Sequence, residues 1–468
     1  MLTCYRQEEP VYAAWMKAAI AAGHPITAEA GSRVLANGGN AVDACVAAAF
    51  AAFVAEPPLT GPAGGGFLLA YVDGEPLLLD CFFAVPSRPL GVMDEIVIDF
   101  GDASTQVFHV GEASVAVPGL VPGLEEAHLR FGRLAWAELV EPAIELAHAG
   151  LDVNEAQAFL HLILAGILQR DEGGRRIYGD PLRLVTQDLV PTLERIRDRG
   201  AAAILDLVPE LADDLAAYRV AERKPVRTTF LGHDVLATPA PSRGGGIVAA
   251  ALERLEHATS LGERAAALRD AYATAPPARM AGTTHISVID AAGMGAALTL
   301  SNGEGCGLIV PCTGLMPNNM LGEADLVPGG WHTWTPDRRL ASMMAPMAVD
   351  WPDKRFAMLG SGGSNRIRTA LAQVLVALID RDERMEAAIE APRLHVEPAV
   401  EPGAPPAVEF EDLAGEAARA ALLAAFPQAR PWPDRSMYFG GVHGARRRRA
   451  GDLEAAGDPR RAGVALTD

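Results

Sequence analysis

Cysteine is scarce and unpatterned in this chain. Cys4, Cys45, Cys81, Cys306 and Cys312 form no CxxC pair and no metal-ligand spacing, which leaves no disulfide framework and no thiolate metal site to read. An odd count without a framework suits a reducing compartment. Long apolar runs are also missing. Residues 41–55 are apolar but too short to span a bilayer, and they carry Asp43, so they read as a buried helix. The opening Met1-Leu2-Thr3-Cys4-Tyr5-Arg6-Gln7-Glu8-Glu9-Pro10 has neither the basic leader nor the apolar core of a signal peptide, so a cytoplasmic protein is expected. Basic charge is in deficit. Forty Lys and Arg stand against 59 Asp and Glu, and the net charge of −19 argues against nucleic acid or an anionic membrane as partner. The run Gly64-Gly65-Gly66 is no phosphate loop, because GxGxxG spacing is absent and no Lys-Ser/Thr follows. No repeat with a period of roughly twenty to fifty residues is found.

What is present is a core-forming chain. Half of the 468 residues are hydrophobic, and the length fits two to four domains or one large sandwich. Residues 24–36 read as an Ala-rich helix closed by Asn37-Gly38-Gly39-Asn40. The triple glycine permits a tight backbone approach before the strand starting at Phe67. Asp73-Gly74 reads as a hairpin turn into a second strand over 77–83. An amphipathic helix is expected over 132–148, divided or kinked at Pro142, and a helical layer with solvated charges over 152–215. Strands are expected over 340–349 and 355–359. A polar glycine loop, Gly360-Ser361-Gly362-Gly363-Ser364-Asn365-Arg366, then opens a long helix through Ile379. Residues 398–406 form a Pro-rich connector.

The stretch 281–319 organises the rest. Gly282 supplies a flexible bond, and Thr283-Thr284-His285-Ile286-Ser287-Val288-Ile289-Asp290 enters a half-buried strand. A Thr-Thr pair at a strand start is ordinary β-propensity. It has a second reading. If the chain were cut before Thr283, the freed α-amine would sit beside that residue's own hydroxyl and act as its base.

Gly282-Thr283-Thr284-His285-x-Ser287-Val288-x-Asp290, followed by a Thr/Ser-rich strand and Gly314-Leu315-x-x-Asn318-Asn319, resembles the self-cleavage site of the γ-glutamyltranspeptidase family of N-terminal nucleophile hydrolases. Gly39-Asn40-Ala41-Val42-Asp43-Ala44, Gly61-Pro62-Ala63-Gly64-Gly65-Gly66-Phe67, Ser114-Val115-Ala116-Val117-Pro118-Gly119, Pro239 to Gly246 and Gly457-Asp458-Pro459-Arg460-Arg461-Ala462-Gly463 resemble further motifs of that family. The likeness therefore runs over nearly the whole chain. It implies an α/β (α+β) four-layer αββα sandwich and cleavage between Gly282 and Thr283. Residues 1–282 would form a large fragment and residues 283–468 a small catalytic one, held together as one domain. The heterodimer would stand alone or pair with a second copy. No metal and no organic cofactor is implied.

The resemblance assigns Thr283 as nucleophile and the amides of Gly363 and Ser364 as oxyanion donors. Ser301 would hydrogen-bond the nucleophile, with Thr299 as the other candidate. Asn302, Asn318 and Asn319 would bind substrate. Three departures concern the γ-glutamyl group. Phe82 stands where an Arg usually holds the α-carboxylate, and a guanidinium fork has no substitute in a benzene ring. Met320 and Glu323 stand where the α-amine is met. The family's Ser-Ser pair is Ala341-Ser342. Arg88, Arg338 and Arg339 are the candidate replacement cations. Residues 328–339 correspond to a lid, short here, whose Trp331, His332 and Trp334 either line the cleft or pack the loop down.

The expected activity is a self-processing γ-glutamyltransferase-like acyltransferase or amide hydrolase working through an acyl-threonine. The substrate would be a small amide or γ-glutamyl compound. The rivals are an amidase for a non-glutamyl acyl group, in the manner of cephalosporin acylases or for a short dicarboxylic amide, and an unprocessed binding scaffold.

Overall fold

A computed structural model describes residues 18–99, 105–273, 282–323, 326, 330–399, 404–448 and 452–467. The expectations resting on residues 1–10, Ala281, Pro328, Gly329 and the middle of the 398–406 connector lie outside the described residues. No described helix is long and apolar enough to cross a membrane.

Two antiparallel sheets face each other. The first runs Val464–Thr467, Ala19–Ala22, Thr284–Ile289, Gly295–Ser301, Gly65–Val72, Glu75–Cys81 and Ala221–Arg223. The second runs Leu453–Ala456, Gly441–Arg447, Phe356–Gly362, Met347–Asp350, His233–Ala237 and Val226–Phe230. Side chains alternate along each strand. Ile286, Val288 and Leu298 thus join the helices on the outer face of the first sheet. Phe67, Leu69, Phe82 and Met358 fill the space between the sheets. A third core packs the helices Gly244–Leu255, Leu261–Tyr272 and Arg366–Asp380 onto the second sheet. These layers are the αββα sandwich that the sequence led us to expect.

Local chemistry fixes the central helix. Asn40 caps Ala41–Ala55 by accepting from the amides of Val42 and Asp43, while Asp43 accepts from the Asn40 amide, and every residue of that helix is buried. The hairpin at Asp73-Gly74 has φ of 51° and 85°, the mirror-image turn that suits twisted strands. Gly66 is required by space, since a Cβ there would lie 2.4 Å from the Thr299 carbonyl oxygen.

Three expectations are corrected. Gly132 closes one helix, Leu120–Phe131, and the next is Trp136–Ala149, with Pro142 inside it. The strand expected over 340–349 shrinks to Met347–Asp350, because Pro346 lacks an amide for the ladder and Ser342 turns the chain by accepting from the Met344 amide at 3.0 Å. Gly360, Ser361 and Gly362 belong to the strand Phe356–Gly362, not to a loop. Gly360 is there for clearance, since a Cβ would fall 2.3 Å from the His285 ring.

Four buried histidines stay neutral in the fold. Burial pushes His161, His395 and His443 down to about 4, and His285 well below its usual value. Their folded values are depressed, so at acid pH the unfolded chain binds more protons. Their contribution is complete above about 6.5 and is lost as pH falls toward 4. The denaturant midpoint is expected to drop between pH 7 and pH 5. An unchanged midpoint would contradict neutral burial.

Candidate active site

Strand order puts Thr283 at the mouth of the space between the sheets. The strand Thr284–Ile289 starts one residue later and pairs with Gly295–Ser301 on one side. Thr283 is 4% exposed, and its carbonyl lies against Gly362 of the opposite sheet, where a Cβ would come within 2.2 Å of the oxygen. Gly282 is likewise glycine for want of room, beyond the flexibility expected of it. A Cβ there would lie 2.4 Å from the Gly303 carbonyl oxygen and 3.0 Å from that of Pro58.

Gly282 is held through both of its backbone groups. Its carbonyl accepts a short hydrogen bond from Ser301 Oγ. Its amide donates to Glu304 Oε1 at 3.0 Å. Ser301 Oγ in turn accepts from the Gly303 amide at 2.9 Å. A hydroxyl donating to a carbonyl oxygen polarises it toward attack.

Thr299 is committed elsewhere. Ser287 Oγ donates to the His443 carbonyl at 3.2 Å, so it accepts from His285 Nε2 at 2.8 Å. His285 Nδ1 is then an acceptor, and the Thr299 hydroxyl donates to it at 2.8 Å. Of the two hydroxyl candidates, Ser301 is the one that shares a pocket with Thr283.

That pocket is a narrow cavity of about 30 Å³, open to solvent. Thr283, Ser301, Ser342, Ser364 and Glu323 supply its polar lining. Phe82, Met320, Leu326, Met343, Met344 and Ile367 supply the rest. Seven positions singled out from the sequence thus converge: Phe82, Thr283, Ser301, Met320, Glu323, Ser342 and Ser364. Gly363 and Ser364 have φ of 116° and 53°, which turns the chain sharply between the strand Phe356–Gly362 and the helix Arg366–Asp380. Neither of their amides donates a hydrogen bond among the described residues. Two unused amides at a helix start, beside the pocket, are suited to an oxyanion.

Other expected contacts fall outside the pocket. Asn302 Nδ2 donates to the Met316 carbonyl at 2.9 Å, and its side chain lines a separate cleft with Tyr178 and Thr186. Asn318 is fully buried and spans the backbones of Ala63 and Ala116. Asn319 accepts from the Glu304 amide at 2.9 Å and donates to its carboxylate at 3.3 Å. All three asparagines hold other parts of the chain: Asn318 meets backbone with both its donor and its acceptor, Asn302 meets it with its donor, and Asn319 binds the backbone amide and the carboxylate of Glu304. Trp331 packs on His109 with ring centroids 4.0 Å apart, and neither it, His332 nor Trp334 is among the pocket residues. Arg88 and Arg338 are exposed. Arg339 donates to the Phe82 and Arg219 carbonyls, stands 3.6 Å from Asp80 Oδ1 and is not among the pocket residues.

Sequence reasoning missed Glu56 and Glu304. Glu56 accepts from Thr27 Oγ1 at 2.7 Å and Thr284 Oγ1 at 2.6 Å, which occupies the second threonine of the pair. A Glu directly after an apolar helix was the one available signal. Thr284→Ala is expected to retain processing while losing about 1–3 kcal/mol of stability from the charged hydrogen bond. Measured cleavage rate and denaturant midpoint check both halves.

The fold and the site define an N-terminal nucleophile type of hydrolase. The family model described as gamma-glutamyltranspeptidase matches residues 27–275 and 260–467, and the chain belongs to that family of hydrolases and acyltransferases. The acylase ACY 1 proenzyme of Pseudomonas sp. (strain SE83) is 31% identical over 86% of this chain and 86% of its own length. The glutathione hydrolase proenzyme of Pseudomonas aeruginosa is 28% identical over 81% of this chain and 82% of its own. The crystal structure of a cephalosporin acylase from Bacillus halodurans shares the fold, with a TM-score of 0.79 over 99% of both chains at 20% identity.

Proposed function

We propose that the chain cleaves itself between Gly282 and Thr283 and then hydrolyses or transfers the acyl group of an amide other than a γ-glutamyl compound. The grip on Gly282 carries the cleavage, and Phe82 in the pocket lining, where the family has an Arg, supports the choice of acyl group. With its carbonyl polarised by Ser301 and its amide fixed by Glu304, the Thr283 hydroxyl can add to the Gly282 carbonyl carbon. The C–N bond then breaks, the nitrogen takes the proton, and water hydrolyses the resulting ester. The new α-amine becomes the base for the same hydroxyl. In turnover Thr283 Oγ attacks the substrate amide, and its proton passes through that amine to the leaving nitrogen. The Gly363 and Ser364 amides take the oxyanion. Water or an amine resolves the acyl-Thr283 ester.

Both fragments, 1–282 and 283–468, would remain one body as a heterodimer. In support, Ala19–Ala22 pairs with Thr284–Ile289 on one edge and Val464–Thr467 on the other. The unprocessed-scaffold reading is weakened by the retention of Thr283, Ser301 and the glycine turn together. Incubated protein is expected to give two bands on a denaturing gel, the smaller with Thr283 at its N-terminus by mass spectrometry. A chain that stays whole after long incubation overturns the reading.

A further inference from the structure

The strands Thr284–Ile289 and Phe356–Gly362 belong to opposite sheets, and the chain around them meets at two points. At Gly362 a Cβ would lie 2.2 Å from the Thr283 carbonyl oxygen. At Gly360 it would lie 2.3 Å from Cε1, 2.4 Å from Nδ1 and 2.8 Å from Nε2 of His285, and these ring atoms are its three nearest neighbours. A step of two residues on one strand thus matches a step of two on the other. The His285 ring is fully buried, and both of its nitrogens are engaged, by the Thr299 hydroxyl and by Ser287 Oγ, each at 2.8 Å. Ser287 Oγ continues to the carbonyl of His443, the residue paired with Gly360 in the second sheet. The imidazole is therefore clamped by side chains of its own sheet and packed on the backbone of the other.

Resting on the cleavage reading above, we infer that His285 is a positioning residue: its ring sets the gap between the nucleophile strand and the strand that ends in the Gly363-Ser364 turn. Gly363 follows Gly362 directly, so a change in that gap moves the oxyanion amides relative to Thr283. Misplacing reacting groups by about 1 Å costs on the order of a hundredfold in rate. A ring fixed by two hydrogen bonds and close-packed on a glycine has little room to yield. No ring nitrogen is left over for Thr283, so the imidazole acts through its thickness and not as an acid or a base.

The test needs no outside substrate, because the first-order rate of cleavage before Thr283 reads the geometry directly. Full-length chain made by cell-free synthesis is sampled over time on a denaturing gel, with a denaturant midpoint showing that each variant is folded. His285→Ala is expected to slow cleavage roughly tenfold or more. His285→Phe keeps a ring but neither nitrogen, and its rate is expected to stay within about fivefold of wild type, with a lower midpoint because two hydroxyls lose their partner. Gly360→Ala is expected to slow cleavage in the wild-type background and to speed it in His285→Ala, where the ring no longer fills the space. That reversal of sign follows from a gap and not from a general loss of stability. His285→Phe as slow as His285→Ala overturns the inference, since the nitrogens would then carry the effect. So does Gly360→Ala slowing both backgrounds alike. If His285→Ala does not fold, Gly360→Ala alone decides, and a rate equal to wild type overturns the inference. A wild-type chain that never cleaves removes the underlying reading, and this inference with it.

Discussion

Thr283→Ala is expected to migrate as one uncut chain and to lose turnover by a factor on the order of 10⁴ to 10⁶. One hydroxyl performs two attacks, first on the Gly282 carbonyl and then on substrate, so its loss removes both. Three neighbouring hydroxyls are committed elsewhere. Thr284 Oγ1 is engaged by Glu56, Thr299 by His285, and Ser301 Oγ points at the Gly282 carbonyl oxygen, not its carbon. Thr283→Ser keeps the hydroxyl and is expected to process, with a slower rate if the threonine methyl helps to fix the rotamer. The measurement is the fraction cleaved over time, followed by anilide turnover on whatever is cleaved. Full processing of Thr283→Ala, or loss of processing in Thr284→Ala with Thr283→Ala intact, would move the nucleophile by one residue.

Much of this architecture was legible in the residues. The helix 41–55 was readable because fourteen of its fifteen residues are small or apolar, Asp43 being the exception, whereas its Asn40 cap emerged only in the structure. The nucleophile strand was readable from alternation and from the motif it carries. Failures came where distant groups decide. Gly282, Gly360 and Gly362 look like loop glycines in sequence, yet each makes room for an atom brought in by another strand or turn: the Gly303 carbonyl, the His285 ring and the Thr283 carbonyl. The asparagines 302, 318 and 319 carry amides equally able to meet a substrate or a backbone, and only the fold shows which they meet. Arg339 likewise offered a free-looking cation, and its partners Asp80, Phe82, Tyr218 and Arg219 come from two segments far away in sequence.

The terminal motif Gly457 to Gly463 carries a second large effect, on stability. Asp458 is fully buried and paired with Arg393 at 2.5 Å and with Arg460 at 3.3 Å, and Arg460 also reaches Glu411 at 2.5 Å. The Asp458 carboxylate further accepts from the amides of Val442 and Arg460, both at 3.0 Å. Burial would push its carboxyl up, but Arg393, Arg460 and these amides hold it below the usual range. Asp458→Ala therefore leaves the buried Arg393 without its carboxylate and Arg460 with Glu411 alone, and a loss of about 3–5 kcal/mol is expected. The damage should also reach the active site. Arg461, which burial pushes down to about 10 against the pull of Asp458, packs beneath the glycine turn, with Nη2 3.3 Å from where a Cβ of Gly363 would sit. A displaced Arg461 loosens the turn that presents the Gly363 and Ser364 amides, so cleavage before Thr283 should slow as well. The denaturant midpoint and the processing rate, measured on the same Asp458→Ala protein, read the two effects separately. A midpoint unchanged from wild type would refute the buried network, whereas slowed processing at an unchanged midpoint would give the motif a role in the oxyanion turn alone.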